Sequence, residues 1–323
     1  MDLSWDAGIT LIRALQSAGW LALPMQAITL LGAETFFLAI IPLLYWCVDT
    51  RLGTRVGLIL LLSTSLNCAL KLVLADPRPY WYSSDVRALA FEPTFGLPSA
   101  HAQNTVAVWG ALAAGARRGW AWALALLLSA LIGLSRLYLG VHFPADVLAG
   151  WAIGGVVLAA FLRWFDPAGA WLGRQPAAGR VALVLVSALL LLLPSVLLAQ
   201  ARAGWQMPGD WLRNAQAAFP GEAPEPLALD TPLSTAGTWC GFGLGLLLLG
   251  ARRFYADGSA ARRLGRYLVG MAVVLLIWAG LRALLPDDAS LLAQGLRFAR
   301  YALIGLWIAA GAPALFRKIG LAD

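Results

Sequence analysis

The chain has 323 residues, 60% of them hydrophobic and 13% charged, with a formal net charge of +7 and a pI near 9.8. Soluble domains carry about 45–50% apolar and about 25% charged residues, so the composition excludes an ordinary soluble domain. The basic residues do not gather into one soluble patch, which argues against a nucleic-acid partner; in a membrane chain they fix topology instead.

In chain order, Asp2 and Asp6 precede Arg13, so the start lacks the basic region of a secretory signal, and insertion is expected to depend on the mature helices. Residues 8–31 are apolar but interrupted by Arg13 and Pro24, and either lie at the interface or span as a broken helix. Apolar runs of spanning length follow at 33–48 and 53–75, then a polar loop from Asp76 to Pro98. Runs at 99–116 and 119–138 are joined by Arg117 and Arg118, and a short loop with His142 leads into 144–162. Residues 163–179 are polar, 181–200 strongly apolar, and 201–234 form a second long loop rich in Pro, Gly and acids. Runs near 235–250, 267–285 and 301–316 complete the chain.

The expected fold is therefore all-α: a polytopic membrane bundle of about nine transmembrane helices, divided into a core at 1–175 and an extension of three to four helices at 176–323. Gly150 and Gly154, and the run Gly241, Gly243, Gly245, put small residues on helix faces and predict close packing. Cys47, Cys68 and Cys240 are odd in number and scattered, and read as packing residues.

Charge gives an orientation. Of the 24 basic residues, 14 fall in the loops at 49–55, 116–119, 163–180, 251–266 and 317–323, with four acids; the other side holds 10 basic residues and 13 acids. Lys and Arg accumulate on the cytosolic side, so loops 76–98 and 201–234 and the His142 loop are expected to face away from it.

A chain this apolar holds few reactive groups. Both histidines, and one of only two lysines, lie in three short strings: Lys71 to Pro79, Pro98 to His101, and Ser135 to Asp146. By alternation of spans all three reach the same face. Lys71, Arg78 and Arg136 are cations at one depth, each costing about 2.5–3.5 kcal/mol near hydrocarbon; a multiply charged anion offsets that cost. Ser99 fits a helix N-cap, and the free amides after it suit phosphate, with His101 in the same turn. His142 and Asp146 have the spacing of one helix face, so the carboxylate can fix the imidazole tautomer, as in covalent catalysis. Singly, each residue could be a surface histidine, a snorkelling arginine or a helix N-terminal charge; together they favour anion binding with proton transfer. A two-histidine zinc site lacks a third ligand at typical spacing.

K-x6-R-P, P-S-x-H and S-R-x3-G-x-H-x3-D form the three-part signature that this chain shares with the type-2 phosphatidic acid phosphatase (PAP2) superfamily, which it resembles and which includes glucose-6-phosphatase and the vanadium haloperoxidases. Ala100 departs from the usual glycine but still lets backbone approach phosphate closely. Pro42 to Gly53 with Tyr45, Trp46 and Asp49, the string Arg78-Pro79-Tyr80-Trp81, and Asp230-Thr231-Pro232 with the later glycines resemble the glucose-6-phosphatase and sphingoid-phosphate phosphatase branch. Asp146 resembles the lipid phosphatases, since vertebrate glucose-6-phosphatase lacks that carboxylate. The resemblance implies a haloperoxidase-like core, with His142 as nucleophile, Asp146 orienting it and His101 as acid and base. Lys71, Arg78, Ser99, Ala100 and Arg136 would bind phosphate, with no cofactor or metal. The function expected is a membrane phosphatase acting on a phosphorylated lipid at the periplasmic face of a bacterial inner membrane. A sugar-phosphate phosphatase and a transporter or binding scaffold are the alternatives.

Overall fold

The computed structural model describes residues 3–250, 254–286, 288 and 290–322, with side chains from residue 5. Asp2, Arg252 and Arg253, counted above for signal and topology, lie outside the described residues. Among those described there is no strand. The helices are α1 (Leu3–Gln16), α2 (Ala22–Leu30), α3 (Glu34–Leu43), α4 (Thr50–Leu74), α5 (Pro79–Tyr82), α6 (Ala100–Ala116), α7 (Gly119–Tyr138), α8 (Pro144–Gly173), α9 (Ala177–Ala201), α10 (Gly209–Ala218), α11 (Asp230–Leu249), α12 (Ala260–Leu275), α13 (Leu291–Leu306) and α14 (Ala312–Lys318).

Among the described residues, seven helical stretches are long and apolar enough to cross a membrane, and an eighth if the broken pair Gly19–Leu30 and Glu34–Val48 is one span. α6, with 17 residues, is at the short end of spanning length. The expected nine is thus an approximation that needs both of these. Leucines such as Leu126 (69% exposed) and Leu190 (62% exposed) cover the outer faces of α7 and α9, as lipid-facing positions require.

The sequence boundaries shift in three places. The run at 8–31 starts earlier, at Leu3, and is broken between α1 and α2. The polar stretch 163–179 is helical to Gly173, with Arg163 over Trp164 and Asp166 paired with Arg51 and Arg55 at 2.9 and 2.8 Å. The loop 201–234 contains α10, and α11 already starts at Asp230.

The chain forms two compact units. The first comprises residues 1–36, 66–159 and 196–228; the second 37–65, 160–195 and 229–323. In the first, α8 lies close on α6: a Cβ on Gly150 would sit 2.7 Å from the Ser99 carbonyl, and one on Gly154 2.4 Å from that of Gln103. The expected small-residue packing is thus present, and it fixes the start of α6 against the start of α8.

In the second unit, α11 meets α13 the same way, with Gly241 over the Ala302 carbonyl and Gly237 over that of Phe298. Its core gathers Tyr45, Trp46, Phe242, Phe254 and Phe316. Residues 44–48, 276–280 and 307–311 are wound as π-helix, which alters the ladder of backbone bonds. Tyr45 Oη donates to the Ala309 carbonyl (3.1 Å) and Trp46 Nε1 to that of Ile308 (2.9 Å), so polar backbone is satisfied away from water. The three cysteines are unpaired.

Candidate active site

The site lies in the first unit. α4 ends after Lys71, and the chain turns through Ala75 (φ 54°) to present Arg78 just before α5. The Arg78 guanidinium is fully buried. Its Nε donates to the Thr94 carbonyl (2.6 Å), Nη2 to that of Phe95 (3.1 Å) and Nη1 to that of Val141 (3.0 Å). Nη1 also lies 3.3 Å from His142 Nε2. Lys71 Nζ donates to the same Phe95 carbonyl. Loop 76–98 is therefore folded around two buried cations. Gly96 makes this possible, since a Cβ there would lie 2.6 Å from the Pro77 carbonyl and 3.1 Å from Asp146 Oδ2.

Ser99 is the N-cap of α6, as its sequence context suggested: its Oγ accepts from the Ala102 amide at 3.4 Å. Its own N–H donates to the Asp146 carbonyl at 3.0 Å, which ties the Ser99–Ala100 turn to α8. His101 follows in the first turn of α6 and is partly exposed. Gly32 leaves room for it, with a would-be Cβ 3.1 Å from His101 Cδ2.

His142 precedes α8 instead of lying on it, so the pair is not two positions on one helix face. Asp146, in the first turn, reaches back to His142 Nδ1 at 3.1 Å, and the same Oδ2 accepts from the Phe143 amide at 2.9 Å. Arg78 can only donate, so His142 Nε2 must accept; Nδ1 then carries the hydrogen and gives it to Asp146. Burial lowers the His142 pKa well below the usual imidazole value, and Arg78, Arg136, Lys71 and His101 lower it further. The result is a neutral imidazole with its free lone pair on Nε2, at the buried cations.

Arg136 closes the site from the end of α7. It is 2% exposed, donates from Nη1 to Thr29 Oγ1 at 2.8 Å, and pairs through Nη2 with Glu92. Its Nε is buried with no acceptor among the described residues, a costly state for a donor that a phosphoryl oxygen would relieve. Glu92 also lies 3.6 Å from Arg78 Nη2. Burial opposes its charge, but Arg136, Arg78, His101 and Lys71 outweigh that and hold the carboxyl well below the carboxylate range.

The structure thus gathers Lys71, Arg78, Ser99, Arg136, His142 and Asp146, with Ala100 and His101 in the turn beside them. Sequence reasoning missed Glu92, Thr29 and Thr94. Three buried cations without a matching protein anion were the one signal pointing to a carboxylate in the same loop. Among the described residues no three or more His, Cys, Asp or Glu side chains gather to hold a metal ion.

Residues 52–170, which include all eight positions, match the PAP2 superfamily, and residues 233–323 match the transmembrane extension of PAP2 superfamily phosphatases. Phosphatidylglycerophosphatase B of Bacillus subtilis (strain 168) is 31% identical over 176 residues, covering 50% of this chain and 84% of that one. The chain belongs to the PAP2 superfamily. Lipid phosphate phosphatase delta of Arabidopsis thaliana is 31% identical over 174 residues, and human glucose-6-phosphatase 3 is 30% identical over 183. These matches cover 48% and 49% of this PAP2 chain, and it spans only 41% and 53% of those two relatives. The segment 171–232, with α10, falls outside both family matches.

Proposed function

We propose that the chain is a metal-independent phosphoric ester hydrolase that removes phosphate from a lipid phosphate monoester or diphosphate through a phosphohistidine at His142. The observation that carries this reading is the buried triad Asp146, His142 and Arg78, with the Nε2 lone pair aimed at a donor that a phosphoryl oxygen can take over.

In this reading Lys71, Arg78 and Arg136, with Ser99 and the Ala100 amide, hold the phosphoryl oxygens. His142 Nε2 attacks phosphorus, the bond to the lipid oxygen breaks, and protonated His101 gives that oxygen its proton. A water oxygen then attacks phosphorus and gives a proton to His101, while the P–N bond breaks; phosphate leaves and His142 regains its lone pair. Residues 1–175 would carry this chemistry and 176–323 the extension.

A lipid substrate is favoured because Asp146 is present, as in the lipid phosphatases that the chain resembles, and because two of the relatives named above act on lipids by name. Phosphate release from purified protein in excess EDTA tests the reading. Release should persist, stop with orthovanadate, and show a higher kcat/KM for phosphatidic acid or a polyprenyl diphosphate than for glucose 6-phosphate. Full loss with EDTA, restored by zinc or magnesium, would refute metal independence. A tenfold preference for the sugar would install the sugar-phosphate reading, which the likeness to glucose-6-phosphatase 3 favours. Binding without any release would point to a transporter or scaffold.

We further propose that the site faces the periplasm of a bacterial inner membrane. The support is the basic excess in the opposite loops. Single cysteines placed in 201–228 should be labelled by an impermeant thiol reagent on intact cells, and one at Arg117 should not. The reverse pattern would overturn the orientation.

A further inference from the structure

Glu92 has no role in the scheme above, yet it is fixed from three sides. Tyr80 Oη donates to its carbonyl (2.9 Å) and accepts from its amide (3.2 Å). Tyr80 in turn packs edge-on against Phe219, 5.7 Å between centroids, and Phe219 meets Phe91 at 5.5 Å. Asn214 donates to the Trp81 carbonyl at 3.0 Å, and the Glu225 amide to that of Pro93 at 2.9 Å. The backbone on both sides of Glu92 is therefore pinned by the segment that contains α10.

The side chain of Glu92 lies between two like charges. Arg78 and Arg136 are both buried, and their repulsion is poorly screened there. A carboxylate that meets Nη2 of each offsets that repulsion and fixes the roll of both planes. What can be handed to a ligand is the Arg78 Nη1 N–H now at His142 Nε2, and Arg136 Nε, which has no acceptor among the described residues.

We propose that Glu92 is a positioning residue: it braces the two guanidiniums so that Arg78 Nη1 and Arg136 Nε converge on the phosphoryl group at His142. This rests on the phosphatase reading. The fixed backbone, and a donor left for the ligand besides the one Glu92 takes, argue against a carboxylate that merely plugs the site.

Glu92→Gln removes the charge and keeps the shape; Glu92→Asp keeps the charge. With p-nitrophenyl phosphate and the purified full chain, Glu92→Gln should lower kcat about 10- to 100-fold, by analogy with the partners that orient metal ligands. KM should move less than about threefold, because losing a negative charge beside the anion site offsets lost orientation. Glu92→Asp should recover most of the kcat. A kcat/KM above wild type in Glu92→Gln would overturn the proposal in favour of a plug. Equal loss in both variants, with a lowered thermal midpoint, would overturn it in favour of a structural role. Wild-type protein that neither releases phosphate nor binds orthovanadate would sink the phosphatase reading itself, and the brace with it.

Discussion

His142→Ala should form no phosphoenzyme and release no phosphate from any substrate, a loss on the order of 10⁴-fold or more, as when a nucleophile is removed elsewhere. The reason is local. His142 Nε2 is the lone pair held at the cations, and Asp146 keeps the hydrogen on the other nitrogen. His101→Ala should behave differently. A general acid and base contributes about 10²–10⁴-fold, but p-nitrophenolate leaves without needing a proton. The first step should therefore survive in part with p-nitrophenyl phosphate while the second, which needs a base for water, stalls. Acid-labile, base-stable label should accumulate on His101→Ala and be absent from His142→Ala. The reverse labelling would exchange the two roles; no label on either, with turnover intact, would remove both. Because burial and its cationic neighbours keep His142 neutral, burst labelling of His101→Ala should not fall as pH drops through about 6.5, where an ordinary imidazole takes up its proton.

Arg78→Lys should cost about 10²–10³-fold in kcat/KM, the size of effect seen when one preorganised donor is removed. The charge is conserved, but an ammonium cannot reproduce the planar fork that reaches Thr94, Phe95 and Val141 while keeping one N–H at His142 Nε2. Orthovanadate affinity should weaken in step. Activity within threefold of wild type would mean that Arg78 acts as a charge alone, and the geometric account of the clamp would fall.

Several features of this molecule can be read from its residues one string at a time. Ser99 caps α6 because a hydroxyl follows a proline and precedes a helix-forming run. Gly150 and Gly154 bring α8 onto α6 because four-residue spacing puts both on one face. The membrane class follows from the length and polarity of the apolar runs. Other features misled. The polarity of 163–179 concealed a helix that runs on to Gly173, where Asp166 meets Arg51 and Arg55 from far off in sequence. The i,i+4 spacing of His142 and Asp146 suggested a shared helix face, but the helix starts between them.

By itself, then, the sequence determined the all-helical membrane class, the convergence of three motif strings on one end of their helices, and the identity of the eight candidate residues. Those depend on composition and short-range order. Only the tertiary structure decided that Glu92 joins Arg78 to Arg136, that Tyr80 holds Glu92, and that the segment around α10 packs on both sides of it. It also decided which nitrogen of His142 is free. Such facts depend on contacts across long stretches of chain, such as the 133 residues between Asn214 and Trp81, and no local pattern encodes a partner that distant.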